Sequence, residues 1–321
     1  MTSSTLSVQV ARKWTEAQDI CALELHALPG QSLPAFSAGA HIDVHLPGGL
    51  TRSYSLCNDP QEQHRYVIGV LRDPVSRGGS VAVHNLVNAG QTLQISPPKN
   101  HFALQQDAQR HLLLAGGIGI TPILCMAEQL AKMGADFELH YCSRSRERTA
   151  FVQHIAASAF AQRVQFHFDD AAPAQQLDLT ALLATPTQGL HLYVCGPKGF
   201  MDAVLGKARA NGWPEAQLHY EFFAAEVEHS ADEASFEVQL GSSGKVIPVA
   251  GGQTVLQALS AAGVEIEFAC EQGVCGTCLT RVLQGVPEHK DSYLTPEEQA
   301  ANDQFLPCCS RAKTARLVLD L

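Results

Sequence analysis

A chain of 321 residues is long enough for two or three domains, each with its own core. Its 45% apolar and 17% charged residues are those of a soluble globular protein, and a net charge of −10 excludes a nucleic-acid role. Met1-Thr2-Ser3-Ser4 leads straight into strand-like sequence, with no signal peptide and no apolar run long enough for a membrane. The expectation is a cytoplasmic protein without a membrane partner, its thiols reduced.

The first segment, residues 1–104, predicts a small antiparallel β-barrel. Short strand-like runs recur at Ser7–Trp14, Ile20–Leu28, His41–Leu46, Tyr66–Arg72 and Thr92–Ser96, with Gly48-Gly49, Asn58-Asp59-Pro60 and Gly78-Gly79 as turn signals. One helix is expected at Ser80–Val87. Alternation along Arg52-Ser53-Tyr54-Ser55 puts Arg52 and Tyr54 on one face of a strand and Ser53 and Ser55 on the other. A flavin site needs a cation for phosphate, a flat group beside the ring and a small hydroxyl near N5, and these residue types supply all three. Taken alone, the motif suits an ordinary edge strand equally well. Arg77-Gly78-Gly79-Ser80 favours the flavin, because a helix start offers backbone N–H groups to an anion.

In residues 105–228 strands alternate with helices, the pattern of an α/β fold with a parallel sheet. Strands are expected at His111–Leu114, Phe137–Cys142, Val164–Phe168, Leu190–Cys195 and Gln217–Phe223. Helices are expected up to Met133, around Arg148–Ser158 and up to Ala210. Thr121 reads as an N-cap and Pro122 as the first helical residue. Gly116-Gly117-Ile118-Gly119 is not the Gly-x-Gly-x-x-Gly fingerprint, but strand, glycine turn and helix still make a pyrophosphate cradle rather than a merely structural turn. Cys195-Gly196-Pro197 ends a second strand, and ligands on such sheets sit at the carboxyl ends of strands. Ser143-Arg144-Ser145-Arg146-Glu147-Arg148 follows the second strand. Its arginines are either donors to a 2′-phosphate or a solvated helix start.

Glu226–Ala234 reads as an acidic linker into residues 229–321. A hairpin at Phe236–Leu240 and Lys245–Val249, a helix at Thr254–Ala262, a strand at Thr280–Gln284, a short helix at Pro296–Ala301 and a strand at Arg316–Leu319 predict an α+β domain. Cys270, Cys275 and Cys278 follow C-x4-C-x2-C spacing, and Cys308-Cys309 lies far downstream. That is the ligand pattern of a plant-type [2Fe–2S] cluster, which needs four thiolates, two on each iron. Zinc sites bring paired short spacings, and here the fourth thiol is isolated. Gly273 and Gly276 suit a loop whose backbone must approach a cluster closely. Cys21, Cys57, Cys125 and Cys142 read as buried free thiols.

Together these three modules resemble the phthalate dioxygenase reductase family, which includes vanillate demethylase reductases, over nearly the whole chain. The resemblance rests on Arg52-Ser53-Tyr54-Ser55, Gly116-Gly117-Ile118-Gly119-Ile120-Thr121-Pro122, Cys195-Gly196-Pro197 and the four cysteines. It implies a flavin barrel, a nucleotide domain and a β-grasp ferredoxin domain. With the ferredoxin last, it implies FMN as the flavin and NADH as the donor. Arg52 would bind the FMN phosphate with Gly78, Gly79 and Ser80, Tyr54 would neighbour the flavin with Ser53 on the same strand, and Ser55 would face N5. Gly116, Gly117, Gly119, Gly196 and Pro197 would line the nucleotide crevice, Thr121 and Cys195 would border the nicotinamide, and Phe222 or Phe223 would lie near the flavin. Ferredoxin loops of this kind place the ligand directly after a Leu-Pro-like step, which favours Cys308 over Cys309. The implied partner is a terminal Rieske-type oxygenase, with a cytochrome P450 as the alternative acceptor. From residue 229 on, twelve acidic side chains stand against six basic ones, and Glu265, Glu267 and Glu271 precede or enter the cysteine loop. A basic partner face would be steered there.

Overall fold

The computed structural model describes residues 5–74, 76–172, 175–223 and 233–321. Strands β1 (Leu6–Ala17), β2 (Ile20–Ala27), β3 (His41–Leu46), β4 (Leu50–Ser55), β5 (Arg65–Leu71) and β6 (Thr92–Ile95) pair antiparallel in the order β4-β3-β6-β1-β2-β5. A bridge between Leu56 and Ile68 joins the two ends of that order, which closes the sheet into the expected barrel. Alternation explains its filling. Val8, Val10, Leu23, Leu25, Ile42, Val44, Ile68 and Ile95 all point inward and are buried. Helix α1 (Gly79–Leu86) starts and ends one residue before the expected bounds.

The second sheet is parallel throughout. It comprises β7 (Arg110–Gly116), β8 (Asp136–Ser143), β9 (Val164–Phe168), β10 (Leu190–Cys195) and β11 (Leu218–Glu221), in the order β11-β10-β7-β8-β9. Helices α2 (Ile120–Lys132), α3 (Val152–Ala157), α4 (Leu179–Leu182) and α5 (Lys198–Ala210) connect the strands. The chain runs outward from β7 to one side, then returns to build the other. The switch point therefore lies between β7 and β10, where such sheets bind ligands. The helix expected at Arg148–Ser158 is shorter than its pattern, because Phe151 adopts a left-handed conformation (φ 60°) and separates a single 3₁₀ turn from α3.

The segments expected at 1–104 and 105–228 share one hydrophobic core: Ile20, Ala22, Cys57, Val67 and Phe102 pack with Leu113, Ile120, Ile123, Tyr141 and Phe151. Polar bonds reinforce the joint. Glu16 accepts from Trp14 Nε1 at 2.6 Å and from the Phe151 amide at 2.8 Å, and Arg148 pairs with Asp19 at 3.0 Å. Residues 1–223 accordingly form one compact unit and 224–321 a second. Most of the acidic stretch read as a linker lies outside the described residues.

In the second unit β12 (Phe236–Leu240) and β13 (Val246–Val249) form the expected hairpin, and α6 (Val255–Ala261) follows. Thr254 and Gln257 close a capping box at its start. After the cysteine loop come β14 (Thr280–Gln284), β15 (Pro287–Glu288), α7 (Pro296–Ala301), β16 (Gln304–Phe305), β17 (Arg311–Ala312) and β18 (Arg316–Leu319). The sheet order is β13-β12-β18-β14-β16, with β12 and β18 parallel, and α6 buries Val255, Ala258 and Leu259 against it. This is the expected mixed sheet grasping a helix. No described helix is long and apolar enough to cross a membrane.

Candidate functional site

Three sites emerge, two in the first unit and one in the second. At the first, β4 carries Arg52 to the start of α1. A Cβ on Gly79 would lie 2.6 Å from Arg52 Cγ and 2.8 Å from Nε, so only glycine lets the guanidinium lie over the helix start. Gly78 is left-handed (φ 92°) and, among the described residues, no side chain caps α1. A cation and uncapped helical N–H groups thus share one place, the donor set a phosphate needs. Ser80 Oγ accepts from the Asp73 amide at 3.1 Å and donates to Ser76 Oγ at 2.9 Å, which braces the loop. Tyr54 packs along the barrel core, and burial pushes its hydroxyl well above the usual tyrosine range. Ser53 faces the other way and donates to Asp43 Oδ1 at 2.6 Å, while Lys99 Nζ reaches Asp43 Oδ2 at 2.8 Å. Its side chain is committed to the barrel wall.

The second site is the crevice at the switch point. The β7 and β10 loops touch backbone to backbone. A Cβ on Gly119 would lie 2.2 Å from the Cys195 carbonyl oxygen, and one on Gly196 would lie 3.0 Å from Gly116 Cα. One on Gly116 would meet Pro197 Cδ at 3.0 Å. Gly117 (φ 53°) opens on free space. The glycines are there for close approach, which a Gly-x-Gly-x-x-Gly search does not detect. Thr121 is not an N-cap. The 3₁₀ turn Gly117–Gly119 runs directly into α2, so Thr121 is its second residue, buried, with its hydroxyl donating to Ile118 O at 3.0 Å.

Cys195 lies in register with Glu221 on the neighbouring strand. Ser55 Oγ donates to Glu221 Oε2 at 3.3 Å across 166 positions of sequence. Desolvation pushes the Glu221 carboxyl up to about 8, against which the Ser55 bond works only weakly. Burial first, and then Glu221, push the Cys195 thiol well above its ordinary range, so it is a neutral group. Sequence reasoning missed Glu221. Its signal was a lone carboxyl at the C-terminal end of a buried parallel strand. The two aromatics that follow diverge: Phe222 packs edge-on to Tyr220 at 5.6 Å on the α5 side, whereas Phe223 packs against the core that holds Cys195 and Ile120.

Beyond β8, Arg148 is engaged by Asp19, and Ser143 and Thr149 bond each other at 2.6 Å. Arg146 borders a cleft of about 530 Å³ that Phe166, His167, Phe168 and Asp170 also line.

The third site is the cysteine loop. Cys270, Cys275, Cys278 and Cys308 are all buried. The Cys270 thiol interacts with those of Cys275 and Cys308. The Gln272 amide donates to Cys270 Sγ at 3.3 Å, so a backbone donor already serves one sulfur. Gly273 (φ 70°) and Gly276 (φ 71°) shape the loop: a Cβ on the first would lie 2.5 Å from Cys309 Sγ, and one on the second 2.2 Å from the Tyr293 ring. The Cys309 thiol lies beside that of Cys308, 3.6 Å from Leu306 O and 3.7 Å from Ser310 Oγ. Four buried thiols wrapped by one loop and a distant segment fit a binuclear cluster.

Comparison with known proteins agrees with this geometry. Residues 238–313 match the 2Fe-2S iron-sulfur cluster binding domain, and residues 91–218 match the N-terminal domain of dimethylamine monooxygenase subunit DmmA-like proteins. The chain is 59% identical over 307 residues to a vanillate O-demethylase oxidoreductase of Pseudomonas putida, covering 95% of this chain and 96% of that one. Among solved structures, phthalate dioxygenase reductase, described as transferring electrons from pyridine nucleotides to [2Fe-2S], superposes with a TM-score of 0.77 at 38% identity, over 99% of this chain and 98% of that one. An intact type IV self-sufficient cytochrome P450 monooxygenase superposes with a TM-score of 0.87 at 41% identity, over 99% of this chain but 41% of the larger one.

Proposed function

The chain belongs to the phthalate dioxygenase reductase family, and on that premise we propose that it is the reductase component of a Rieske-type oxygenase system, moving electrons from NADH through FMN and a [2Fe–2S] cluster to the terminal oxygenase. The observation that carries this reading is the presence, in one chain, of a phosphate cradle, a nucleotide crevice and four buried thiols in ferredoxin spacing. When bound, FMN supplies the exchange between a two-electron donor and single electrons, and the cluster carries those electrons one at a time.

This chain's residues bind and orient. Arg52 and the start of α1 hold the FMN phosphate, with Gly79 small enough to let them meet. Ser55 orients its hydroxyl by donating to Glu221. Cys195 and Thr121 wall the nicotinamide pocket with neutral, buried groups that exclude water. Phe223, on the Cys195 side, is the aromatic that shields the flavin. Glu221, bonded to Ser55 and in register with Cys195, keeps a proton near neutral pH. The glycine loops Gly116–Gly119 and Cys195–Pro197 hold the pyrophosphate between them. Arg148 is engaged by Asp19, and Asp170 lies in the same cleft as Arg146, an environment that favours a ribose hydroxyl over a 2′-phosphate and hence NADH. Cys270, Cys275, Cys278 and Cys308 hold the cluster.

The relatives named as demethylase and dioxygenase reductases favour an oxygenase as acceptor. The second reading is a P450 acceptor, and the self-sufficient P450 that superposes with this chain favours it. The experiment supplies NADH and the purified chain to a Rieske oxygenase or to a P450 haem protein and compares their reduction rates. Preferential reduction of the Rieske centre supports the first reading and preferential haem reduction the second. Mass spectrometry of the flavin released by Arg52→Ala identifies FMN; finding FAD would overturn the flavin assignment.

A further inference from the structure

Helix α1, whose start lies against Arg52, has little of its own to hold it in place. It is eight residues long, a length at which a helix does not persist in water without packing. Its buried side is small: Gly79, Ala82 and Val83, with Leu86 51% exposed. Both of its ends are nevertheless tied down. At the start, Gly79 lies under Arg52, whose Nη1 donates to Thr51 O at 2.7 Å and whose Nη2 donates to Arg77 O at 3.3 Å. At the far end stands Lys13. Its ammonium donates to Val83 O at 2.9 Å, to His84 O at 2.7 Å and to Val87 O at 2.7 Å. His84 Nε2 adds a bond to Val70 O on β5 at 3.0 Å. An ammonium has three N–H donors, and here all of them serve one helix end. The last carbonyls of a helix have no partner within it, and a cation there also answers the negative end of the helix dipole.

Lys13 reaches α1 through an irregularity in β1. Val8 and Val10 point into the barrel. Strict alternation would send Arg12 inward next and Lys13 outward. The register against β2 shifts between Val10 and Arg12, so that Val10 stands opposite Leu25 and Lys13 opposite Leu23, both core residues. Residues directly opposite each other on an antiparallel pair share a face. The bulge therefore turns Lys13 to the barrel side, where its stem follows Val10 and its head meets α1.

We infer that Lys13 is a positioning residue for the flavin phosphate: by holding the far end of α1 it keeps the helix start against Arg52, and so sets the affinity for a flavin that ends in a phosphate monoester. The inference rests on the reading of Arg52 and the start of α1 as the FMN phosphate site. An eight-residue helix is about 12 Å long, so Lys13 acts through the placement of α1 and not by touching the phosphate.

The test is titration of the whole chain, stripped of flavin, with FMN and separately with riboflavin, which lacks the phosphate. Quenching of flavin fluorescence reads the two dissociation constants in wild type, Lys13→Met and Lys13→Arg. Wild type is expected to bind FMN more tightly than riboflavin. Lys13→Met is expected to weaken FMN binding on the order of tenfold, the effect of a helix start in place in about one molecule in ten, and to leave riboflavin binding unchanged. Lys13→Arg keeps the charge, but a planar guanidinium cannot aim three donors at three converging carbonyls, so it should recover only part of the FMN affinity. Unchanged FMN binding by Lys13→Met overturns the inference. An equal loss for FMN and riboflavin overturns it too, because that marks a residue that only holds the barrel together. If Lys13→Met does not fold, Lys13→Arg decides: a loss confined to FMN supports the inference, and wild-type FMN affinity overturns it. Equal wild-type affinity for FMN and riboflavin would instead strike at the phosphate site itself, and the inference would fall with it.

Discussion

Gly119→Ala tests whether the two glycine loops must touch. The new Cβ would lie 2.2 Å from the Cys195 carbonyl oxygen, 2.4 Å from its carbon and 2.7 Å from the Gly196 nitrogen, where ordinary contact begins at 3.4 Å. All three atoms are backbone, so no side chain can rotate away, and the loops must part by about 1 Å. Overpacking of this kind costs roughly 1–3 kcal/mol. For a unit of 223 residues each kcal/mol lowers the melting temperature by about 2–4 °C. Displacement by about 1 Å near a reacting geometry costs on the order of a hundredfold in rate. The assay is stopped-flow flavin reduction by NADH over a range of NADH concentrations, beside thermal melting. NADH-driven reduction should fall on the order of tenfold to a hundredfold, while flavin and iron contents stay unchanged. Gly199→Ala in α5 is the control, because nothing lies within 4 Å of its Cβ. There the substitution should be neutral or stabilise by roughly 0.5–1 kcal/mol. A Gly119→Ala protein with wild-type kinetics and melting would refute the argument.

Three further outcomes are expected. Cys308→Ser should lose iron while Cys309→Ser keeps it, because the Cys270 thiol engages those of Cys275 and Cys308 and not that of Cys309; iron analysis with the reverse result would exchange the two roles. Glu221 has a folded-state value of about 8, above its ordinary 4.5, so its protonated form stabilises the fold fully below 4.5 and that stability is lost as pH rises through about 8. Glu221→Gln should therefore gain stability over wild type progressively between about pH 5 and pH 8 and no further above it; a pH-independent difference in melting would show that the carboxyl is not desolvated. Glu265, Glu267 and Phe268 are exposed just before Cys270. Glu267→Lys should slow electron transfer to a basic acceptor face at low salt, and wild-type transfer should fall as ionic strength passes about 0.1 M. Salt-independent transfer would leave those acids as solubilising charge.

Much of this is legible in the sequence. Alternation along Arg52–Ser55 gave the correct facing of each side chain, since period two is a property of any strand. The cysteine spacing is local chemistry and carried the third site. What was not legible is what long-range packing decides. Ser55 and Glu221 meet only because the barrel and the parallel sheet share a core, and no local pattern encodes that joint. Thr121 and Pro122 matched a capping pattern, but the approach of Gly119 to Cys195 draws the helix start back by a residue or two. The choice between Phe222 and Phe223 needed the chain just past the end of β11, where the two rings join different cores.

The most direct test of electron passage from NADH to the cluster is anaerobic addition of NADH to the purified holoprotein, followed by visible and low-temperature EPR spectra. The account predicts flavin bleaching together with the paramagnetic signal of a one-electron-reduced [2Fe–2S] cluster. In Cys275→Ser the bleaching should remain and the signal vanish. Bleaching of the wild-type flavin with no cluster signal would contradict it.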